Sequence, residues 1–214
     1  MNIKTKRIIM SLAGVSLLGV CVALLRKAEL GTDPFTVLVT GLTETTGFPY
    51  YLVYIMINVI LLIVVLLIRR KYVGIATILN LFLVGILADA TESLFEGWFI
   101  VNTWVGQALT LFGALAILCF ASSLYITADL GVSTYDAMAL IVNDKKILPF
   151  RFARILTDLL CVGIGFLMGG VVGVGTLLTA FFMGPVIHFL NVHLTQKWLA
   201  GKKGITNSKE GADA

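Results

Sequence analysis

Long apolar runs separated by short polar breaks dominate the pattern of this chain of 214 residues. A helix that crosses a membrane needs roughly 20 consecutive, mostly apolar residues. Six segments reach that length. They cover residues about 8–28, 50–68, 73–95, 104–127, 150–168 and 171–195. The pattern therefore predicts an all-α polytopic membrane protein with six transmembrane helices.

Two further segments, about 32–46 and 132–144, are apolar but too short to cross. Each follows a Leu-Gly pair and begins with residues that favour a helix start. Asp33 lies before a proline, which suits an N-cap followed by proline at the first helical position. Ser133 and Asp136 have the spacing of a capping box. We expect two short half-helices that either dip into the membrane or lie on its opposite surfaces.

The two halves of the chain share one pattern. Residues 28–31 (Ala-Glu-Leu-Gly) recur as residues 128–131 (Ala-Asp-Leu-Gly), an offset of 100 because 128 − 28 = 100, and Asn58 falls opposite Asp158. Later the offset is 99. The matching pairs there are Gly74 and Gly173, Thr77 and Thr176, Gly85 and Gly184, and Asp89 and His188.

These repeats predict one transmembrane domain over residues 1–214, with repeat one at about 8–95 and repeat two at about 104–195. Each repeat holds three spans and one half-helix. An odd number of spans inverts the second copy relative to the first, which is the geometry of many secondary transporters. The polar end, about 200–214, is expected to be a disordered tail.

Charge sets the expected orientation. Only 13% of the residues are charged, against about 25% in soluble domains. The net charge of +4 comes mainly from basic clusters. They are Lys4, Lys6 and Arg7; Arg69, Arg70 and Lys71; Lys145, Lys146 and Arg151; and Lys197, Lys202 and Lys203. Such clusters mark cytoplasmic loops. They predict a multi-pass membrane protein with both termini cytoplasmic, and no nucleic-acid partner.

Charged residues at membrane depth are candidates for function because they are costly there. Asp158 lies about eight residues into its span, roughly 12 Å deep, and Arg154 is on the same helical face. The pair either orders the bundle or lines a site. Asn58 either bonds neighbouring helices or lines a cavity. Asp136 either caps its helix or binds a cation or proton, whereas the backbone amides at the same helix start favour an anionic group. Arg26 and Lys27 are exceptions to the cytoplasmic placement of basic residues, and the charges of Glu29 and Asp33 offset them.

Several motifs in order carry a resemblance to a known family. They are Ala-Asp/Glu-Leu-Gly, then Pro-Phe-Thr-Val or Thr-Tyr-Asp-Ala, then the glycine-rich residues 168–176, then Gly184-Pro185. Over about residues 10–195 the chain resembles the bacterial YczE/YyaS/YitT family of integral membrane proteins. The resemblance implies a cytoplasmic-membrane protein but no substrate. The family commonly has an aspartate where this chain has Thr36, so Asp136 is the surviving copy.

The features together favour a secondary transporter or permease for an unknown small solute, with its site at the midplane between inverted repeats. Asp136, Arg154 and Asp158 would line the site, with Thr36, Asn58 and Thr176 in support. Two alternatives are a substrate-capture membrane subunit of a larger transporter and a non-transporting membrane organiser or regulator. No enzyme, cofactor or metal is expected, because no nucleophile–base or metal constellation is present. Membrane lipid and the solute are the expected partners, and a homo-oligomer is possible.

Overall fold

The computed structural model describes residues 2–95 and 103–200. The predicted tail and the loop around Glu96 thus lie outside the described residues, apart from the first residue of the tail range. All regular structure in the described part is helical. The helices are α1 Ile3–Ala28, α2 Pro34–Thr46, α3 Tyr50–Ile68, α4 Ile75–Phe95, α5 Trp104–Ala128, α6 Thr134–Asp144, α7 Phe150–Leu167, α8 Val174–Leu190 and α9 Gln196–Ala200. A 3-10 turn (Arg70–Tyr72) precedes α4, and a π-helical turn (Asn191–Thr195) joins α8 to α9.

Five helices in the described residues are long and apolar enough to cross a membrane: α1, α3, α4, α5 and the segment Val174–Leu199. The remaining predicted span, about residues 150–168, forms helix α7, which has 18 residues. It carries Arg151, Arg154 and Asp158, and this charge separates it from the other five. The chain is therefore a membrane protein with several apolar helices, and the count of six spans stays a prediction.

The two short segments are helices of 13 and 11 residues, and they begin where the sequence predicted. The Asp33 side chain accepts a hydrogen bond from the Thr36 amide at 3.1 Å. The Ser133 hydroxyl accepts one from the Asp136 amide at 3.0 Å. Each cap satisfies an amide that the first helical turn leaves without an intrahelical partner, so it fixes where α2 and α6 begin.

The first turns of α2 and α6 meet. The rings of Phe35 and Tyr135 lie 5.0 Å apart, centroid to centroid. These residues occupy matching positions of the two repeats. The contact therefore joins two counterparts and places the starts of the two half-helices next to each other.

Beyond this contact, the two half-helices pack against different long helices. Helix α2 runs beside the end of α7, where Gly41 lies against the Gly165 backbone and the Thr45 hydroxyl donates to the Met168 carbonyl at 3.0 Å. Helix α6 runs beside the end of α3, with Ile141 packed in a cluster around Val65. Each half-helix thus packs on a long helix of the other repeat, and the two arrangements match.

Reciprocal backbone contacts tie the repeats together a second time. The Leu30 carbonyl accepts a hydrogen bond from the Gly175 amide at 2.8 Å, and the Leu130 carbonyl accepts one from the Ala76 amide at 3.1 Å. The glycine after each leucine has a positive φ, +94° at residue 31 and +116° at residue 131. A side chain at either position would meet the backbone of the other repeat. Only glycine combines this conformation with so close an approach.

Helix α1 forms the centre of the long-helix packing. It lies along α5 and α4. Gly14 lies against the backbone of Ala121 and Tyr125, and Gly19 lies against Val84 and Leu87. The small residues of α1 are therefore used inside the protein, where they let helix backbones approach closely.

Candidate functional site

Arg154 is the centre of an ionic cluster on α6 and α7. Helix α7 is amphipathic: Leu159, Leu160 and other apolar side chains are exposed, whereas Arg154 and Asp158 lie one turn apart on another face. The Arg154 Nε atom lies 3.3 Å from Asp158 Oδ1. The ion pair predicted from the i, i+4 spacing is thus present in the structure.

Two residues of α6 complete this cluster. The Arg154 guanidinium also pairs with Asp136 Oδ1 and lies over the Tyr135 ring, 4.6 Å from its centroid. The Tyr135 hydroxyl donates to Asp158 Oδ1 at 2.5 Å. We call Tyr135, Asp136, Arg154 and Asp158 the arginine cluster. The sequence predicted three of its members but missed Tyr135, although its position next to Asp136 in the same helix turn was a usable signal.

The arginine cluster carries more negative than positive charge. Two carboxylates face one guanidinium, so its formal charge is −1. In the described part of the chain, hydrogen bonds and ion pairs reach only the Oδ1 atoms of Asp136 and Asp158. The side chains of Arg154 and Asp136 are 34% and 35% exposed. The cluster can therefore accept further hydrogen bonds from a bound group.

Asn58 links two helices rather than joining the arginine cluster. Its amide nitrogen donates to the Tyr54 carbonyl at 2.9 Å, and its Oδ1 accepts from the Thr134 hydroxyl at 2.5 Å. The side chain is almost fully buried. The hydrogen-bonding interpretation of Asn58 is the one that this geometry favours, because the bond from Thr134 holds the start of α6 against α3.

The two threonines among the predicted site residues lie in the first turns of α2 and α8. Thr36 is buried in the first turn of α2, where its amide is bonded to the Asp33 cap. The Thr176 hydroxyl accepts from the Gly173 amide at 3.3 Å, at the contact between α8 and Gly31. The structure thus places Thr176 at a junction between the repeats, and its described hydrogen bonds do not reach the arginine cluster.

A second ionic cluster joins α1 to α4. Arg26 pairs with Asp89 at 3.2 Å and with Glu92 at 2.6 Å, and its guanidinium lies 4.4 Å from the Tyr50 ring centroid. The two acidic partners of Arg26 therefore both come from α4. Glu29 is exposed at the C-cap of α1, since the end of that helix turns it away from the bundle.

Asp33, the next acidic residue after Glu29, caps α2. Asp89 accepts a further hydrogen bond from the Tyr51 amide at 3.0 Å, so this cluster also holds the start of α3. The repeat counterpart of Asp89, His188, is exposed on α8. The second cluster therefore belongs to repeat one alone.

Polar contacts bring two basic loops together. Lys71 in the 3-10 turn pairs with Asp144 at the end of α6, with Nζ 2.5 Å from Oδ2. Hydrogen bonding to Lys71 lowers the pKa of the Asp144 carboxyl, and the same contact raises the pKa of the Lys71 ammonium. The turn before α4 and the loop after α6 therefore lie on the same side of the protein.

Comparisons with known proteins agree with this picture. The chain is 27% identical over 188 residues to an uncharacterized protein of Haemophilus influenzae, covering 87% of this chain and 84% of the relative. It is 25% identical over 175 residues to the uncharacterized protein YyaS of Bacillus subtilis, covering 82% and 87%. It is 24% identical over 178 residues to the uncharacterized membrane protein YczE of the same organism, covering 83% and 81%.

No solved structure matches the chain. The relatives YyaS and YczE confirm the resemblance drawn from the motifs. A family described as a family of unknown function (DUF6198) matches residues 5–192. With most of its length matched, the chain belongs to the DUF6198 family.

Proposed function

We propose that this protein is a small secondary transporter of the bacterial cytoplasmic membrane. Six helices would cross the membrane, in two inverted repeats of three, with both termini cytoplasmic. The solute would bind at the midplane, beside the starts of α2 and α6. The observation that carries this proposal is the contact between Phe35 and Tyr135, which brings the two half-helix starts together next to the arginine cluster.

Broken helices that meet between repeats are a recurrent site architecture in secondary transporters. A helix start carries a partial positive charge of about half an elementary charge. Here the Asp33 carboxylate offsets this partial charge at the start of α2, and Asp136 lies in the first turn of α6. Asp158 adds a third carboxylate, against the single guanidinium of Arg154. This balance favours a solute or coupling ion that is positively charged.

Of the alternatives, a substrate-capture subunit would need a free docking face on its first helix. In this chain the small residues Gly14 and Gly19 of α1 already pack against α5 and α4. That packing disfavours docking of a larger partner through α1. A membrane organiser is separated from a transporter only by whether the site opens alternately to both sides of the membrane.

Alternating access can be tested without knowing the solute. Cys161 lies one turn beyond Asp158 and is a native probe of the site, whereas Cys21 lies in the packing of α1 against α5. Both cysteines are buried in the structure, so labelling of Cys161 requires that the site opens. Two variants would be made, one that retains only Cys161 and one that retains only Cys21. In oriented vesicles, a membrane-impermeant thiol reagent should label Cys161 from both sides and Cys21 from neither. Labelling of Cys161 from one side only, or from neither, would contradict transport.

The inverted topology has its own test. Reporter tags inserted at residues 96–102 and at residues 145–149 should be found on opposite sides of the membrane, the second inside. The same side for both would exclude an odd number of spans per repeat and, with it, the inversion. Cys161 labelling would still decide whether the site opens alternately.

A further inference from the structure

The repeats differ in how their last two long helices pack. In repeat one, α3 and α4 are joined by three links. Gly85 of α4 lies against Tyr51 and Tyr54 of α3. The Tyr54 hydroxyl donates to Asn80 Oδ1 at 3.1 Å. The Tyr51 amide donates to Asp89 Oδ2 at 3.0 Å.

In repeat two, no comparable packing joins α7 to α8 within the described residues. The counterpart of Gly85 is Gly184, where an added Cβ would meet nothing within 4 Å. The counterpart of Tyr54 is Arg154, which is bonded to Asp136. The counterpart of Asp89, His188, is exposed. Helices α7 and α8 are therefore not packed together as α3 and α4 are, and we call the space between them the α7–α8 cleft.

This cleft explains why the arginine cluster is accessible. Its counterparts in repeat one are closed off from solvent, since Thr36 and Tyr54 are both buried. By contrast, the side chains of Asp136 and Arg154 are about a third exposed, at 35% and 34%. The two sets occupy matching positions in the repeats. We therefore attribute the difference in side-chain exposure to the missing α7–α8 contact.

The sides of the cleft are apolar. Ala180 and Gly184 share one face of α8, four residues apart, and both are exposed. Phe181 beside them is 68% exposed, and Ile155 on α7, next to Arg154, is 40% exposed. In a membrane these side chains meet lipid tails. Exposed apolar side chains thus lie beside Arg154 on α7 and around Gly184 on α8.

We propose that the α7–α8 cleft is a lateral entrance from the lipid and that it admits a cationic amphiphile, a long-chain amine. The protonated amine would donate to the Oδ2 atoms of Asp136 and Asp158, while the alkyl chain occupies the cleft. This inference rests on the proposed transport function and names its substrate class.

Charge and hydrogen bonding select this head group. An ammonium has donors and no acceptor, which suits two carboxylates whose Oδ2 atoms have no described partner. An anionic head would have to displace the carboxylates from Arg154, because its guanidinium is the only cation that pairs with them among the described residues. The alkyl chain concentrates the amine in the lipid beside the entrance, since transfer of the chain out of water is favoured by roughly fourfold for each CH₂.

The test uses the full chain in nanodiscs and four probes: dodecylamine, dodecyl sulfate, dodecanol and methylammonium. Binding is read from the shift in thermal unfolding and from protection of Cys161 against a thiol reagent. At equal content in the nanodisc, dodecylamine should bind at least tenfold more tightly than dodecyl sulfate or dodecanol. Methylammonium should bind at least a hundredfold more weakly than dodecylamine.

Two variants localise the binding. Gly184→Leu should fill the cleft and weaken dodecylamine binding at least tenfold. Gly163→Leu is the matched control, because a Cβ there also meets nothing within 4 Å, and it should change binding less than twofold. Asp136→Asn should weaken amine binding at least tenfold without changing the binding of dodecanol.

Each contrary result overturns a defined part of the proposal. Equal or tighter binding of dodecyl sulfate would overturn the cationic head group. Methylammonium binding as tight as dodecylamine, or no effect of Gly184→Leu, would overturn the lateral entrance. No binding of any amine would overturn both. The alternating labelling of Cys161 is measured without an amphiphile, so it decides the transport function separately.

Discussion

The same four positions carry different chemistry in the two repeats. Repeat one has Phe35, Thr36, Tyr54 and Asn58, and repeat two has Tyr135, Asp136, Arg154 and Asp158. The geometry is conserved while the chemistry changes. The Phe35 and Tyr54 rings meet edge to face at 5.7 Å, and at the matching place the Arg154 guanidinium lies 4.6 Å from the Tyr135 centroid.

This difference indicates a division of labour within one scaffold. The neutral set is buried and closes α3 against α4 and α6 through short-range packing and hydrogen bonds. The charged set needs the same backbone but is left partly open, because charge that is not fully paired is costly to bury. Repeat one therefore contributes a neutral, closed packing, and repeat two contributes a charged and partly exposed cluster.

The largest effect is expected at the glycines that both repeats use equally. Gly31→Ala and Gly131→Ala should each cost about 2–4 kcal/mol, from left-handed backbone strain and overpacking together. Unfolding by denaturing detergent measures the free energy. Gly47→Ala is the control, since Gly47 has a φ of +71° but open space around it, and it should cost only about 1 kcal/mol. Unequal losses at Gly31 and Gly131 would show that the scaffold is not symmetric in energy.

A somewhat smaller effect is expected from removing the charge that distinguishes repeat two. Arg154→Met leaves Asp136 and Asp158 facing each other without a cation, which should cost about 2–3 kcal/mol after allowing for partial exposure. Detergent unfolding again gives the free energy, and Cys161 labelling reports the site.

The control for Arg154→Met replaces the whole arginine cluster by its repeat-one counterparts: Tyr135→Phe, Asp136→Thr, Arg154→Tyr and Asp158→Asn. This variant should regain most of the lost stability, because no unpaired charge is left, but should no longer bind dodecylamine. If it binds the amine as tightly as the natural chain does, the arginine cluster is only structural.

The third effect concerns a single neutral link in repeat one. Tyr54→Phe removes the hydrogen bond to Asn80 and leaves the ring packing, so it should cost about 1 kcal/mol. Cys161 labelling should not change, because the site lies in repeat two. Loss of labelling without loss of stability would contradict the proposed division between the repeats.

The smallest effect is expected at the exposed ion pair between Lys71 and Asp144. The lowered pKa of Asp144 means that its pair with Lys71 contributes stability above the unfolded pKa of about 3.9, and that this stability is lost as the pH falls through the lower folded value. Lys71→Met should therefore lower the melting temperature slightly near pH 6 and by less near pH 3. An equal shift at both pH values would mean that the pair does not act through charge.

The sequence by itself determined the helices, their starts and the matching of the repeats. Apolar runs of span length, the Asp33 and Ser133 caps and the i, i+4 spacing of Arg154 and Asp158 are local signals. They were confirmed because backbone hydrogen bonding and helix geometry act within a few residues.

Only the tertiary structure decided which matching residues would meet. It paired Arg154 with Asp136 as well as Asp158, gave Arg26 its partners from α4, and placed Thr176 at a backbone junction. It also left α7 apart from α8. These outcomes depend on contacts between helices far apart in the chain, where one glycine against open space or against a tyrosine changes the packing, and no local pattern encodes that difference.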